Sequence, residues 1–119
     1  MNGFETYQET SVTTQSKGRL IVLLYDGAIK FMKLAIKEME EKNYEAKNNH
    51  LIRSRDIINE LNAVLDMEAG SEIATNLRRL YMYMGRRLSQ ANVKNDPKIV
   101  QEVITLMDEL NQSWKVITS

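Results

Sequence analysis

The residue with the widest chemical repertoire in this chain is its single histidine, His50, and the positions around it argue against the chemistry a helical protein most readily builds. A carboxylate-bridged di-iron site needs a glutamate three residues before a histidine, so that both ligands project from one helix face. Lys47 stands there instead. One histidine also falls short of the common zinc sites, and the absence of cysteine removes thiolate ligands, thiolate nucleophiles and disulfides together. Ser54, Ser71 and Ser113 lack a histidine base with an oriented third group, and no glycine-rich phosphate loop occurs. Acids such as Asp108 and Glu109 read as solvating groups on helical surface. The expectation is a protein that is not an enzyme and uses no cofactor or metal, with His50 a boundary residue near the start of a helix.

Charge gives no long-range steering toward a polyanion. Sixteen basic residues balance sixteen acidic ones, so neither nucleic acid nor anionic lipid is expected as a partner. The arginine pairs fit ordinary helix faces: Arg79 and Arg86 lie seven apart in line with Glu72, while Arg78 and Arg87 flank a core stripe. The longest strongly apolar run, "LIVLLY" at Leu20 to Tyr25, is far shorter than the ~20 residues that span a bilayer. No secretory signal is recognised, so the chain reads as cytoplasmic, without membrane insertion.

The elements that must position these residues are helices. One proline and five glycines leave little of the punctuation that sheets require at their turns. Four periodic segments are predicted, Lys17 to Lys42, Tyr44 to Leu65, Ser71 to Ala91 and Pro97 to Ile117, joined by connections short enough to force antiparallel neighbours. The fold class is therefore all-α, an antiparallel four-helix bundle over residues 17–119 with a short, partly ordered N-terminal segment. Residues 1–16 show no sustained helical period and read either as a frayed terminus or as a short lid carrying Phe4, Tyr7 and Val12.

The final segment has the sharpest start, with Asp96 placed to cap free amides and Pro97 at the first helical position. Its Val100, Val103, Met107, Leu110, Trp114 and Ile117 alternate at three and four residues and form one apolar seam. In the first segment a narrow polar strip, Arg19, Asp26, Lys30, Lys33 and Lys37, leaves most of the circumference apolar. Such a helix either touches all three others from the centre of the bundle or has an additional apolar partner.

The third segment contains "RLYMYMGRRL", Arg79 to Leu88, with four large side chains in succession although neighbours point about 100° apart. Ile73, Ala74, Leu77, Leu80, Tyr81, Met84 and Leu88 take one broad face. Met82 and Tyr83 then point about 130° from its centre, one to each side, and Gly85 leaves a notch. Ile57 and Val64 likewise lie beside the stripe of the second segment formed by Leu51, Ile58, Leu61 and Leu65. These flanks suit either a partner's chain, a dimer contact or plain boundary positions.

Several blocks match a known family in order and spacing: "LYDGA" at Leu24 to Ala28, "AGSEIATNL" at Ala69 to Leu77, "LYMYMGRRLSQAN" at Leu80 to Asn92, "ND" at Asn95 and Asp96, and Trp114. From Tyr7 to Ile117 the chain closely resembles the flagellin-specific export chaperone family, FliS. The resemblance implies a small helical bundle that binds the disordered C-terminal segment of flagellin in the cytoplasm, prevents premature polymerisation and delivers it to the flagellar type III export apparatus. Binding would then proceed without chemistry, the client lying largely extended with short helices against apolar grooves.

On that reading the groove walls are expected to be Ile57, Leu61 and Val64 with Leu80, Tyr81, Tyr83 and Met84, joined by Ile21 and Tyr25 from the first segment. Asn76 and Asn92, inside the matched blocks, either hydrogen-bond the client backbone or serve as caps and interhelical links. Tyr7 matches a tyrosine common near the family's N-terminus and strengthens the lid reading. One departure is visible: the family usually enters its first helix through a Ser-Pro step, whereas Ser16 is followed here by Lys17 and Gly18. The alternative function is a self-associating structural bundle, a homodimer whose flanks bury each other.

Overall fold

The structure is a computed structural model that describes the backbone of residues 3–65 and 71–118 and the side chains of residues 17–65 and 71–117. Four helices follow in order, α1 (Gly3–Glu40), α2 (Tyr44–Ala63), α3 (Glu72–Lys94) and α4 (Pro97–Thr118), with no strand among the described residues. The extents are 60 × 25 × 21 Å, and the long axis is set by α1, whose 38 residues rise about 57 Å at about 1.5 Å each.

Helix boundaries follow local chemistry. Asp96 Oδ1 accepts the Lys98 amide at 2.9 Å at the start of α4, as its position before Pro97 predicts. Ser71 does the same for α3, its hydroxyl accepting the Ala74 amide at 3.1 Å. α1 and α3 close on left-handed residues, Lys42 (φ 62°) and Asn95 (φ 51°). The next amides then bond back into the last turns, Asn43 N to Glu38 O at 2.9 Å and Asp96 N to Ala91 O at 3.0 Å. α1 begins well before the Lys17 expected from periodicity. Extending a helix already nucleated in the bundle adds one hydrogen bond per residue and needs no apolar stripe to do so, which is why periodicity did not mark this start.

The helices form a four-cornered ring. α1 packs on α2 and α4, and α3 closes the ring between them, while no Cα pair across either diagonal comes within 8 Å among the described residues. Every neighbouring pair is antiparallel: Ala28 meets Ser54, Asn92 meets Asn48, Tyr83 meets Glu102, and Asp26 meets Asn111. The reading that places α1 at the centre of the bundle is corrected here: α1 occupies a corner, and among the described residues it meets α3 through side chains, with no close backbone approach. Its excess apolar surface is partly left outside, with Leu23 67% and Leu20 47% exposed.

The centre is filled by Tyr25, Met32, Leu51, Ile58, Leu61, Met84, Leu88, Val100, Val103 and Met107, all at or below 2% exposure. Ala28 and Ala35 on α1 and Ser54 on α2 are small enough for those helices to approach closely, and the buried Ser54 hydroxyl bonds the His50 carbonyl at 3.0 Å. Lys47, also buried, donates to the Asn92 carbonyl in the last turn of α3 at 3.2 Å and lies over the Tyr44 ring. A cation there complements the negative end of that helix. His50 stacks on Phe31 of α1 with ring centroids 6.1 Å apart.

Two substitutions test the capping assignments. Ser71→Ala and Asp96→Ala are each expected to lower the unfolding free energy by about 1 kcal/mol, read from urea denaturation with circular dichroism. An unchanged midpoint for either would show that its side chain does not hold the helix start.

Candidate functional site

α1 continues as a helix beyond the level at which α2 ends, so the last turn of α2 faces α1, and α2 does not continue above it among the described residues. An apolar cavity of about 250 Å³ opens there. All four helices contribute: Lys17 and Ile21 from α1, Leu61, Val64 and Leu65 from the end of α2, Tyr81 from α3 and Trp114 from α4. Lys17 and Ile21 are one turn apart and share a face of α1, while Leu61 lies in the last turn of α2 and Val64 and Leu65 follow its end. The walls are almost wholly carbon, with the Lys17 ammonium as the one charged group among the lining side chains.

The floor is a hydrogen-bonded aromatic cluster. The Tyr25 and Tyr81 hydroxyls meet at 2.6 Å across the α1/α3 diagonal, with ring centroids 6.4 Å apart. Trp114 stands 6.5 Å from the Tyr25 ring, the two planes tilted by 44°. Burial pushes both phenols up. For Tyr25 the bond to Tyr81 and the neighbouring Trp114 side chain oppose the rise, whereas for Tyr81 the Tyr25 hydroxyl adds to it and carries the group far above the usual range. Both rings therefore stay neutral at any pH at which the protein is handled, and the cluster is a fixed hydrogen-bonding floor with no acid–base role.

Ile21, Leu61, Val64 and Tyr81, all anticipated as groove walls, are brought together in this cavity, with Tyr25 directly beneath it. Ile57 lies next to it on the α1 side of α2, where a methyl group on Gly27 would meet its Cδ1 at 3.4 Å. Ile57 consequently faces α1, while Val64 shares the cavity with Tyr81 of α3. Leu80 and Tyr83 lie in the α3/α4 seam instead. Leu80 is half-buried against the core, and the Tyr83 hydroxyl donates to Glu102 Oε1 at 2.8 Å, while Arg87 Nε donates to Oε2 of the same carboxylate at 2.8 Å. Arg87 first and Tyr83 second hold the Glu102 carboxyl below its ordinary range, and Glu102 raises the Tyr83 phenol.

The remaining anticipated residues are placed elsewhere. Met84 has no accessible surface and serves the core. Asn76 is exposed on α3. Asn92 donates to Asn48 Oδ1 at 2.9 Å and links α3 to α2, one of the two roles its position allowed. The Tyr7 side chain lies outside the described residues. Of the two surplus groups on α3, Met82 is the one left open, at 54% exposure, and the space beside Gly85 is empty to 4 Å.

Lys17, Leu65 and Trp114 line the cavity without having been anticipated as site residues. Trp114 carried a signal, since it occupies the apolar seam of α4 and one of the matched blocks, but a tryptophan at core spacing reads as packing. Leu65 likewise belongs to the core stripe of α2 until the helix is seen to stop at Ala63. Lys17 had no signal beyond its distance of four residues from Ile21.

The aromatic floor makes a testable prediction. Tyr25→Phe strands the buried Tyr81 hydroxyl and Tyr81→Phe strands that of Tyr25, so each is expected to cost about 1–3 kcal/mol. Changing both together should cost less than the sum, because no hydroxyl is then left unpaired. Denaturation of the three variants checks this, and additive costs would show that the two hydroxyls are not coupled.

Comparison with known proteins bears on what such a cavity serves. A family model described as Flagellar protein FliS matches residues 1–119. The chain is 39% identical over 114 residues to the flagellar secretion chaperone FliS of Bacillus subtilis, covering 96% of this chain and 84% of that protein. It is 42% identical to the protein of the same name from Salmonella typhimurium, over 92% of this chain and 82% of that one. For the Escherichia coli protein of that name the identity is 38%, over 90% and 79%. The role these names state is a chaperone's and not an enzyme's, and a four-helix protein with an apolar cavity at one end matches them over most of their length: the chain belongs to the FliS family of flagellar secretion chaperones.

Proposed function

We propose that this chain binds the disordered C-terminal segment of flagellin in the cytoplasm, keeps it from polymerising prematurely and delivers it to the flagellar type III export apparatus. The observation that carries the reading is the cavity to which all four helices contribute, apolar, open at its mouth and sized for one large side chain. Among the described residues no helix is long and apolar enough to cross a membrane, which accords with a chaperone that meets its client before export.

The energetics suit a disordered client. Ordering such a segment costs about 2–5 kcal/mol, and at about 25 cal/mol per Å² this is offset by roughly 80–200 Å² of buried apolar surface. One or two large anchors supply that area. The cavity takes the first; Leu80 and Tyr83 along the α3/α4 seam offer a place for the client to continue, with Asn76 exposed one turn before Leu80 and two before Tyr83 for a backbone hydrogen bond. The Tyr83 hydroxyl is already occupied by Glu102, so the ring and not the hydroxyl is what it presents.

A peptide of flagellin's C-terminal segment is expected to bind one-to-one below tens of micromolar, to gain helicity, and to change the fluorescence of Trp114, the sole tryptophan, which lines the cavity. No binding in that range would remove the client. Val64→Asp, at the rim, should weaken binding at least tenfold while helical circular dichroism and cooperative melting persist. Tyr83→Asp with unchanged affinity would confine the client to the cavity. Sedimentation of the free protein separates this function from the self-associating bundle, which requires a dimer with no client present.

A further inference from the structure

A second concave surface lies between α1 and α4 and shares no lining residue with the apolar cavity. It is an open cleft of about 500 Å³ that, unlike the cavity, mixes charged side chains with aliphatic ones. Lys30, Lys33 and Lys37 stand exposed along one strip of α1, with Lys115 of α4 across from them and Ile29 and Leu34 between. Two aspartates also line it. Asp26 is engaged within the bundle, its Oδ1 accepting the Asn111 amide at 2.8 Å and lying 3.6 Å from Lys115 Nζ, while Asp108 makes no hydrogen bond or ion pair among the described residues. Nor does any described carboxylate pair with Lys30, Lys33 or Lys37.

Like charges three and four residues apart on one helix are unfavourable in the free protein. The overall charge balance makes the strip a local feature and not a by-product of a basic chain. Its geometry is selective as well. Lys30 to Lys33 and Lys33 to Lys37 rise about 4.5 and 6 Å, a two-turn ladder of about 10.5 Å. A helix carrying carboxylates at the same three-four spacing meets it turn for turn. An extended chain, whose same-face residues recur every ~6.8 Å, falls out of step.

We propose that the α1/α4 cleft docks an acidic amphipathic helix of a second protein, distinct from the client, with carboxylates on the lysine ladder and an apolar side chain over Ile29 and Leu34. Charge complementarity argues for the occupant. The separation from the apolar cavity argues for a partner other than the client, because shielding an apolar segment has no use for a ladder of cations.

The test uses the full chain and three probes: a synthetic helical peptide with glutamates at three-four spacing beside leucines, a scrambled peptide of the same composition, and vesicles of phosphatidylglycerol in phosphatidylcholine. The ordered peptide is expected to bind at least tenfold more tightly than the scrambled one and to weaken with salt. Lys30→Glu combined with Lys33→Glu and Lys37→Glu should remove at least tenfold of that affinity, and the corresponding triple change to glutamine keeps the test available if the reversed variant fails to fold. Equal binding of the scrambled peptide, preference for the vesicles, or indifference to the lysine changes would each overturn the proposal. A flagellin C-terminal peptide that loses affinity in the lysine variants would overturn it too, by placing the client in the cleft. Failure of flagellin to bind at all leaves the peptide comparison readable, so the two proposals fail separately.

Discussion

The hydrogen bond between Tyr25 and Tyr81 spans a diagonal that no backbone crosses. In a four-cornered ring the helices at opposite corners stay apart, and the space between them must be filled by side chains reaching inward. Two tyrosines have the length to meet, but each carries a hydroxyl into an apolar centre, where an unpaired one is costly. Joining the hydroxyls removes that cost. Much else follows from this contact. Turning Tyr81 inward sets the rotation of α3, which sends Met82 and Tyr83 to opposite flanks. Holding Tyr81 and Trp114 at one level makes them the floor of the cavity.

The surface divides along the same lines. At the end where α2 stops and α1 continues, the bundle presents carbon to an apolar ligand. The α3/α4 seam is partly apolar but closed by the Tyr83–Glu102–Arg87 network, so a chain lying there meets ring faces and aliphatic groups. The α1/α4 side carries the lysine ladder. A protein of zero formal net charge can thus offer unlike surfaces to unlike partners, because over a Debye length of ~8–10 Å local charge pattern outweighs net charge.

Much of the fold was legible in particular residues. The Asp96–Pro97 start and the three-four seam of α4 are local signals, a cap and a period; the cap is seen as expected, and the seam packs inward from Val100 to Trp114, whereas Ile117 at its end is 73% exposed. The inward set of α3, Ala74, Leu77, Tyr81, Met84 and Leu88, follows from spacing alone, but Ile73 on the same face is 71% exposed, because it stands in the first turn of the helix. The site was harder to read because its residues are core residues that become walls where a helix ends. Leu61 and Tyr81, buried to 1% and 3% exposure, also line the cavity, and Leu65 does so only because α2 gives out two residues earlier. Spacing marks Ile57 and Val64 as positions beside the core stripe of α2, but a wheel carries no information about which neighbour each side faces.

What the amino-acid sequence determined by itself is therefore everything that depends on spacing along one helix: the all-α class, the caps, the inward stripes, the polar strip of α1 and the motif blocks that identify the family. Those features depend on interactions within a few residues of one another. The ring order, the corner position of α1, the meeting of Tyr25 with Tyr81 and the separation of an apolar cavity from a basic cleft were decided only in the tertiary structure. They depend on which faces of different helices are opposed, and that choice is made by packing volume and by the need to pair buried polar groups across the whole bundle at once.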